Sequence, residues 1–245
     1  PGCNSEYQLI DERLVGHMPK SLSYEQAAAL PLTAVTAWES LFDRMGITAD
    51  IERNRGKSIL IIGGAGGVGS IAVQLASKVA GLTVVASASR PETTAWVKDL
   101  GADHVVNHRN HLVTEMQKIG LPQVDYILCN NDTDAYFSTM AELIKPQGKI
   151  CLLVDSASPQ DITVFKGKSA ALIWESMFTR SMFRTPDMIE QHQILEKVAA
   201  LVDDGVLRTT LNQVISPINA ANLRAAHAQL EAGTAIGKIV LSGWK

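Results

Sequence analysis

Residues Ser58–Ser77 read SILIIGGAGGVGSIAVQLAS, an aliphatic block that runs into a cluster of glycines. Beyond the glycines, Val68, Ile71, Ala72, Leu75 and Val79 recur close to helical spacing and lay one apolar stripe on a helix. A strand, a glycine turn and a helix that packs back on its own strand form the first half of a βαβ unit, which restricts the chain to α/β architecture. The rhythm continues through TVVASA, HVVN, DYILCN and KICLLV, mostly with room between them for crossover helices. These runs are almost continuous in apolar residues, as parallel strands covered on both faces require. The expected core is a Rossmann-type, doubly wound parallel sheet.

Both ends of the chain break this rhythm. SLSYEQAAALPLTAVTAWESLF sets Ser23 and Gln26 at capping-box spacing and interrupts a helical pattern at Pro31. Near the other end, Thr185 as N-cap and Pro186 as first helical residue predict a long helix that stops at Gly205. Its expected buried stripe is Met188, His192, Leu195, Ala199 and Val202. An extended run, NQVISPI, a helix bearing Leu223, Ala226, His227 and Leu230, and a closing strand, KIVLSG, complete that end. EYQLI near the start reads as a strand, and the chain opens without methionine, so a fragment with parts of a second unit at both ends is expected.

Composition narrows the function. With 46% hydrophobic residues in 245 and a net charge of −3, the chain should be globular, and it carries no basic patch for nucleic acid. Its apolar runs are strand-length, short of the roughly 20 residues of a membrane span. No secretory pattern is read at the start, and Cys3, Cys129 and Cys151 are odd in number without close pairing, so reduced thiols and a cytoplasmic location are expected.

Gly64, Gly66 and Gly69 satisfy G-x-G-x-x-G directly after a predicted strand. The first permits a tight turn, the second leaves room for a pyrophosphate and the third lets helix and strand approach closely. A glycine-rich turn without a ligand is the bland alternative. A mononucleotide phosphate loop lacks its lysine, because Ser70 stands there. Some 20 residues onward, an NAD-binding unit presents an acid to the ribose, but no acid lies between Val84 and Arg90. The same lack weakens a methyltransferase reading. Ser89 and Arg90 suit a 2′-phosphate, which points to NADP(H). Ser89 could equally cap the next helix, with Glu92 completing a capping box. His104 and His108 are too far apart on an extended strand to share a metal. Trp174, Met177, Phe178, Met182 and Phe183 could line an apolar substrate pocket, or form core or a subunit contact.

LPLTAVTAWESLF, ILIIGGAGGVGSIAVQLA, ASRPET, LGADHVVNH and GKIVL together resemble the medium-chain dehydrogenase/reductase superfamily, specifically its quinone oxidoreductase-like, zinc-independent branch. The resemblance spans nearly the whole chain. It implies the end of an N-terminal GroES-like catalytic segment over 1–30, a Rossmann NADP-binding domain over 31–184, and a return to the catalytic domain over 185–245. By position, Thr33 would approach the nicotinamide or its ribose, and Gly66, Gly67 and Val68 the pyrophosphate. Ser89 and Arg90 would take the 2′-phosphate, with His108 where relatives often place a tyrosine. Asn130, Val154 and Phe178 would flank the adenine or nicotinamide ribose, and Lys238 would close the far side. Catalytic residues would lie in the N-terminal segment not contained here. No zinc is expected, since Leu30, Pro31 and Leu32 stand where zinc-dependent members bring a cysteine. The implied activity is NADPH-dependent reduction of a quinone or α,β-unsaturated carbonyl by a homodimer with no nucleic-acid or membrane partner. An alcohol dehydrogenase and a non-catalytic NADP(H)-binding or dimerisation module are the alternatives.

Overall fold

The computed structural model describes residues 5–244; Cys3 lies outside them. Strands β1 (Ser58–Ile62), β2 (Thr83–Ser87), β3 (His104–Val106), β4 (Val124–Cys129), β5 (Ile144–Leu152) and β6 (Ala171–Trp174) form one parallel sheet in the order β3-β2-β1-β4-β5-β6. That order is the doubly wound Rossmann topology, with the crevice where the chain reverses direction across β1 and β4. Five strands match the expected ones. The sixth was not anticipated, because a 3-10 segment, Ile162–Lys168, precedes it in place of a crossover helix.

Alternate residues of β1 enter opposite hydrophobic layers. Ile59 and Ile61 face one side, Leu60 and Ile62 the other, and none is more than 1% exposed. Each such side chain contributes roughly 1.5–3 kcal/mol by burial. A short helix, α1 (Tyr24–Ala28), buries none of its residues, and the chain enters the first layer through α2 (Pro31–Trp38). That layer is completed by α3 (Gly67–Gln74) and α4 (Pro91–Leu100), while α5 (Leu112–Lys118) and α6 (Thr133–Leu143) cover the other face. A short helix, α7 (Thr179–Phe183), follows β6, and α8 (Glu190–Asp203) returns to the first layer through Ile194, Val198 and Val202. Outside the sheet, β7 (Leu211–Ile215) and β8 (Lys238–Leu241) pair in parallel, joined by α9 (Ala220–Glu231). No helix among the described residues is long and apolar enough to cross a membrane.

The Ser23–Gln26 capping box is present: Gln26 N donates to Ser23 Oγ at 3.3 Å, and Ser23 N donates to Gln26 Oε1 at 2.9 Å. Pro31 opens α2 as its first residue. Three local expectations need correction. Glu6–Ile10 forms no strand, and Tyr7 and Leu9 are fully exposed. Helix α8 begins at Glu190, not Pro186, because Thr185 N donates back to Arg180 O at 3.2 Å and closes α7. Of the expected buried stripe, Met188, Ala199 and Val202 are buried and Leu195 packs partly against the core, whereas His192 meets the Val15 carbonyl in the exposed rim. Finally, Arg90 rather than Ser89 caps α4: Arg90 N donates to Thr93 Oγ1 at 3.1 Å, since Pro91 occupies the first helical position.

Candidate functional site

A cleft of about 480 Å³ opens over the carboxyl ends of β1, β2 and β4. Its floor is the turn between β1 and α3. Gly63, with φ at +75°, makes the tight turn that the sequence assigns to Gly64. Gly64 instead serves close packing, as a Cβ there would fall 2.8 Å from Ala86 Cβ. Gly69 does the same more stringently, with a Cβ only 2.2 Å from the Gly63 carbonyl oxygen. Gly66 has no such conflict: its Cβ would meet only that carbonyl, at 3.4 Å, so the space that its missing side chain leaves belongs to the cleft. Gly66 caps α3, whose first N–H groups, from Gly67, Val68 and Gly69, lack helical acceptors and sit at the positive end of the helix.

The walls are cationic. Arg90 Nε lies 2.8 Å from Glu92 Oε1, an ion-pair distance without hydrogen-bond alignment, and Arg90 Nη2 donates to the Thr234 carbonyl at 2.9 Å. His108 stands between Arg90 and Arg109, with its Nδ1 buried and unpartnered. Burial first, then Arg109 and Arg90, hold its pKa below the ordinary value. Lys238 packs against Gly67 and Thr33, and burial alone lowers its pKa, with no carboxylate beside it. Asn130 Nδ2 donates to the Ile62 carbonyl at 2.9 Å, while its Oδ1 is buried without a donor. Thr33 Oγ1 donates to the Leu30 carbonyl at 3.1 Å.

Of the residues selected from sequence, Thr33, Gly66, Gly67, Val68, Gly69, Ser89, Arg90, His108, Asn130 and Lys238 line this cleft. Gly64 lies behind it. Val154 and Phe178 are not brought to it; Phe178 borders a second cavity of about 400 Å³ together with Leu32, Thr36, Leu153, Trp174 and Met177. Leu153 and Asp155, the neighbours of Val154, line that cavity, and α2 separates the two with Thr33 on one side and Thr36 on the other. Met182 and Phe183 lie outside both and are largely exposed. Beyond Lys238, the sequence reading missed the C-terminal wall, formed by Leu230, Gly233, Ala235 and Gly237. Gly237 N donates to the Ala65 carbonyl at 2.9 Å and tethers that wall to the glycine turn. Gly237 has φ at +54°, and a Cβ would lie 2.3 Å from the Thr210 carbonyl oxygen. A glycine immediately before the terminal strand was the available signal.

The cleft's free N–H groups, unpaired ammonium and orphaned Asn130 and His108 atoms suit the phosphates and ribose hydroxyls of a dinucleotide. A zinc ion fares differently. Among the described residues no three of His, Cys, Asp or Glu gather as a ligand set. Burial pushes the Cys129 thiol up to about 11 and the Cys151 thiol up to about 12, far from the thiolate a metal takes.

The topology and this cleft define a Rossmann-type α/β protein whose anion-binding crevice is closed by a C-terminal return segment. The profile of the zinc-binding dehydrogenase family matches residues 100–241. A zinc-type alcohol dehydrogenase-like protein of Staphylococcus aureus is 45% identical over 241 residues, covering 98% of this chain and 72% of that protein. A crystal structure from Rhizobium etli, designated a zinc-dependent alcohol dehydrogenase, superimposes with a TM-score of 0.93 at 51% identity, over 100% of this chain and 71% of the other. The CurK enoyl reductase follows with a TM-score of 0.75 and 26% identity, over 92% of this chain and 64% of the other. The chain belongs to the zinc-binding dehydrogenase family, within the medium-chain dehydrogenase/reductase superfamily of oxidoreductases.

Proposed function

We propose that the chain is the cofactor-binding part of an NADPH-dependent reductase of quinones or α,β-unsaturated carbonyls, acting without zinc. The carrying observation is that Arg90, Arg109, His108 and Lys238 line the cleft and no carboxylate does. An NAD-specific unit places an acid at the end of β2, where its charge excludes a 2′-phosphate. This chain has Ser89 and Arg90 there. NADPH, when bound, would supply the hydride. Gly67, Val68 and Gly69 would donate N–H groups to the pyrophosphate, with Lys238 neutralising it. Ser89, Arg90 and His108 would hold the 2′-phosphate, Asn130 Oδ1 would accept from a ribose hydroxyl, and Thr33 would turn the nicotinamide end toward the second cavity. Apolar walls at Leu32, Leu153, Trp174, Met177 and Phe178 favour a flat, electron-poor substrate there.

The similarity to an enoyl reductase supports the enone class, and the buried thiols of Cys129 and Cys151 support a zinc-free site in a reducing compartment such as the cytoplasm. We propose a homodimer contact at β6, which pairs on one side only, with β5, and exposes Trp174, as α7 exposes Met182 and Phe183. Steady-state oxidation of NADPH by enones and quinones, set against oxidation of alcohols with NADP⁺, tests the reaction class. Turnover of alcohols alone would replace the reductase by a dehydrogenase. Size-exclusion chromatography with light scattering tests the dimer, and a monomer at micromolar concentration would refute it.

A further inference from the structure

Behind the second cavity lies an ion cluster that the cofactor reading does not use. Helix α2 continues into a π-helical stretch, Glu39–Arg44, and Glu39 is 1% exposed. Glu175, directly after β6, is 4% exposed and lines the cavity. Arg180 of α7 donates through Nη1 to Glu39 Oε1, through Nη2 to Asp43 at 3.0 Å and through Nε to Asp187 at 3.0 Å. Arg44 Nε donates to Glu175 Oε2 at 2.6 Å. Each buried glutamate therefore has one oxygen held by an arginine. The other oxygens, Glu39 Oε2 and Glu175 Oε1, are buried with no hydrogen-bond donor; Arg44, which holds Glu175, brings its Nη2 only to 3.8 Å from Glu39 Oε2, and so stands beside both carboxyl groups.

Two orphaned acceptors on neighbouring buried carboxyl groups are satisfied together by a single proton. The charges agree: four carboxylates, Glu39, Asp43, Glu175 and Asp187, face two guanidinium groups, Arg44 and Arg180, and Cys151 on β5 contributes only a neutral thiol. We propose that Glu39 and Glu175 share one proton, and that this carboxyl pair is a positioning device joining the helix that carries Thr33 and Thr36 to the segment Glu175–Phe178 at the nicotinamide end. The second clause rests on the cofactor reading; the first does not.

Burial, and then Glu175, raise the Glu39 pKa to about 8. An unfolded glutamate releases its proton near 4.5, so the folded chain binds the extra proton between these values. Stability from the pair is full at low pH and is lost as pH rises through about 8. Infrared spectra at neutral pH should show the carbonyl stretch of a protonated carboxylic acid in the wild-type chain. The band should vanish in Glu39→Gln, in Glu175→Gln, and in the wild type above the pair's midpoint. Between about pH 6 and pH 9 the wild-type Tm should fall by roughly 5–10 °C relative to Glu175→Gln, whose amide donates at every pH. NADPH affinity should fall more steeply over the same range in the wild type than in Glu175→Gln. Absence of the band, or parallel stability curves, overturns the shared proton. A band with the same pH dependence of affinity in the wild type and in Glu175→Gln overturns the positioning role, and a band in a chain that binds no cofactor leaves the shared proton standing while the cofactor reading falls.

Discussion

The two ends of the crevice are built from different materials. Over the glycine turn, shape is set by backbone: Gly63 turns, Gly64 and Gly69 let β1, β2 and α3 touch, and Gly66 leaves space. At the second cavity, shape is set by long side chains, with Arg180 on α7 reaching Glu39 and Asp43 on the extension of α2. Backbone determinants lie within seven consecutive residues, whereas Glu39 and Arg180 are 141 positions apart. The glycine turn itself contains no titratable group, whereas the second end is held by charges whose balance depends on pH.

Breaking the side-chain end should cost most. Arg180→Ala strands Glu39, Asp43 and Asp187 and should lower stability by about 3–5 kcal/mol, measured by urea denaturation. A loss below about 1 kcal/mol would show that the cluster relaxes into water. At the backbone end, Gly69→Ala forces a Cβ against the Gly63 carbonyl and should destabilise by roughly 1–3 kcal/mol. Gly66→Ala should leave Tm nearly unchanged yet weaken cofactor binding at least about tenfold, because its methyl group fills the cleft and not the fold. Equal stability losses in the two alanine variants would erase the distinction drawn between these glycines.

Smaller effects probe the adenosine wall. Arg90→Glu should reduce NADPH affinity roughly 10- to 100-fold and leave NADH affinity within a few-fold, by calorimetry. His108 offers a pH signature: burial, Arg109 and Arg90 hold its pKa below 6.5 in the free chain, and a bound phosphate dianion would raise it. Binding then takes up a proton, so NADPH affinity should tighten a few-fold as pH falls toward that value while NADH affinity stays flat. His108→Phe should remove the slope.

Legibility in the sequence follows the same division. The glycine motif, the continuous aliphatic strands and the absence of an acid after β2 are local features, and residues chosen from them meet in one cleft. Two misreadings were of helix starts, where neighbouring turns compete, and the others lay where tertiary contacts decided. Thr185 looks like a cap, but its N–H is drawn back to Arg180 by the turn that ends α7. Ser89 looks like a cap until Pro91 fixes the helix start one residue later. Strand β6 is four residues long, partly exposed and preceded by no crossover helix. The Glu39–Glu175 pair left no trace because no short-range pattern relates residues on different elements. Gly237 stood in plain view but had meaning only once Ala65 and Thr210 were found beside it.

The central claim is that the cationic, acid-free cleft selects the phosphorylated dinucleotide. Isothermal titration of this chain with NADPH and, separately, NADH addresses it without recourse to turnover. The account predicts saturable 1:1 binding of NADPH at least about tenfold tighter than NADH, the gain expected of one charge-assisted phosphate contact. Equal affinity for the two, a preference for NADH, or no binding by a chain shown to be folded would contradict it.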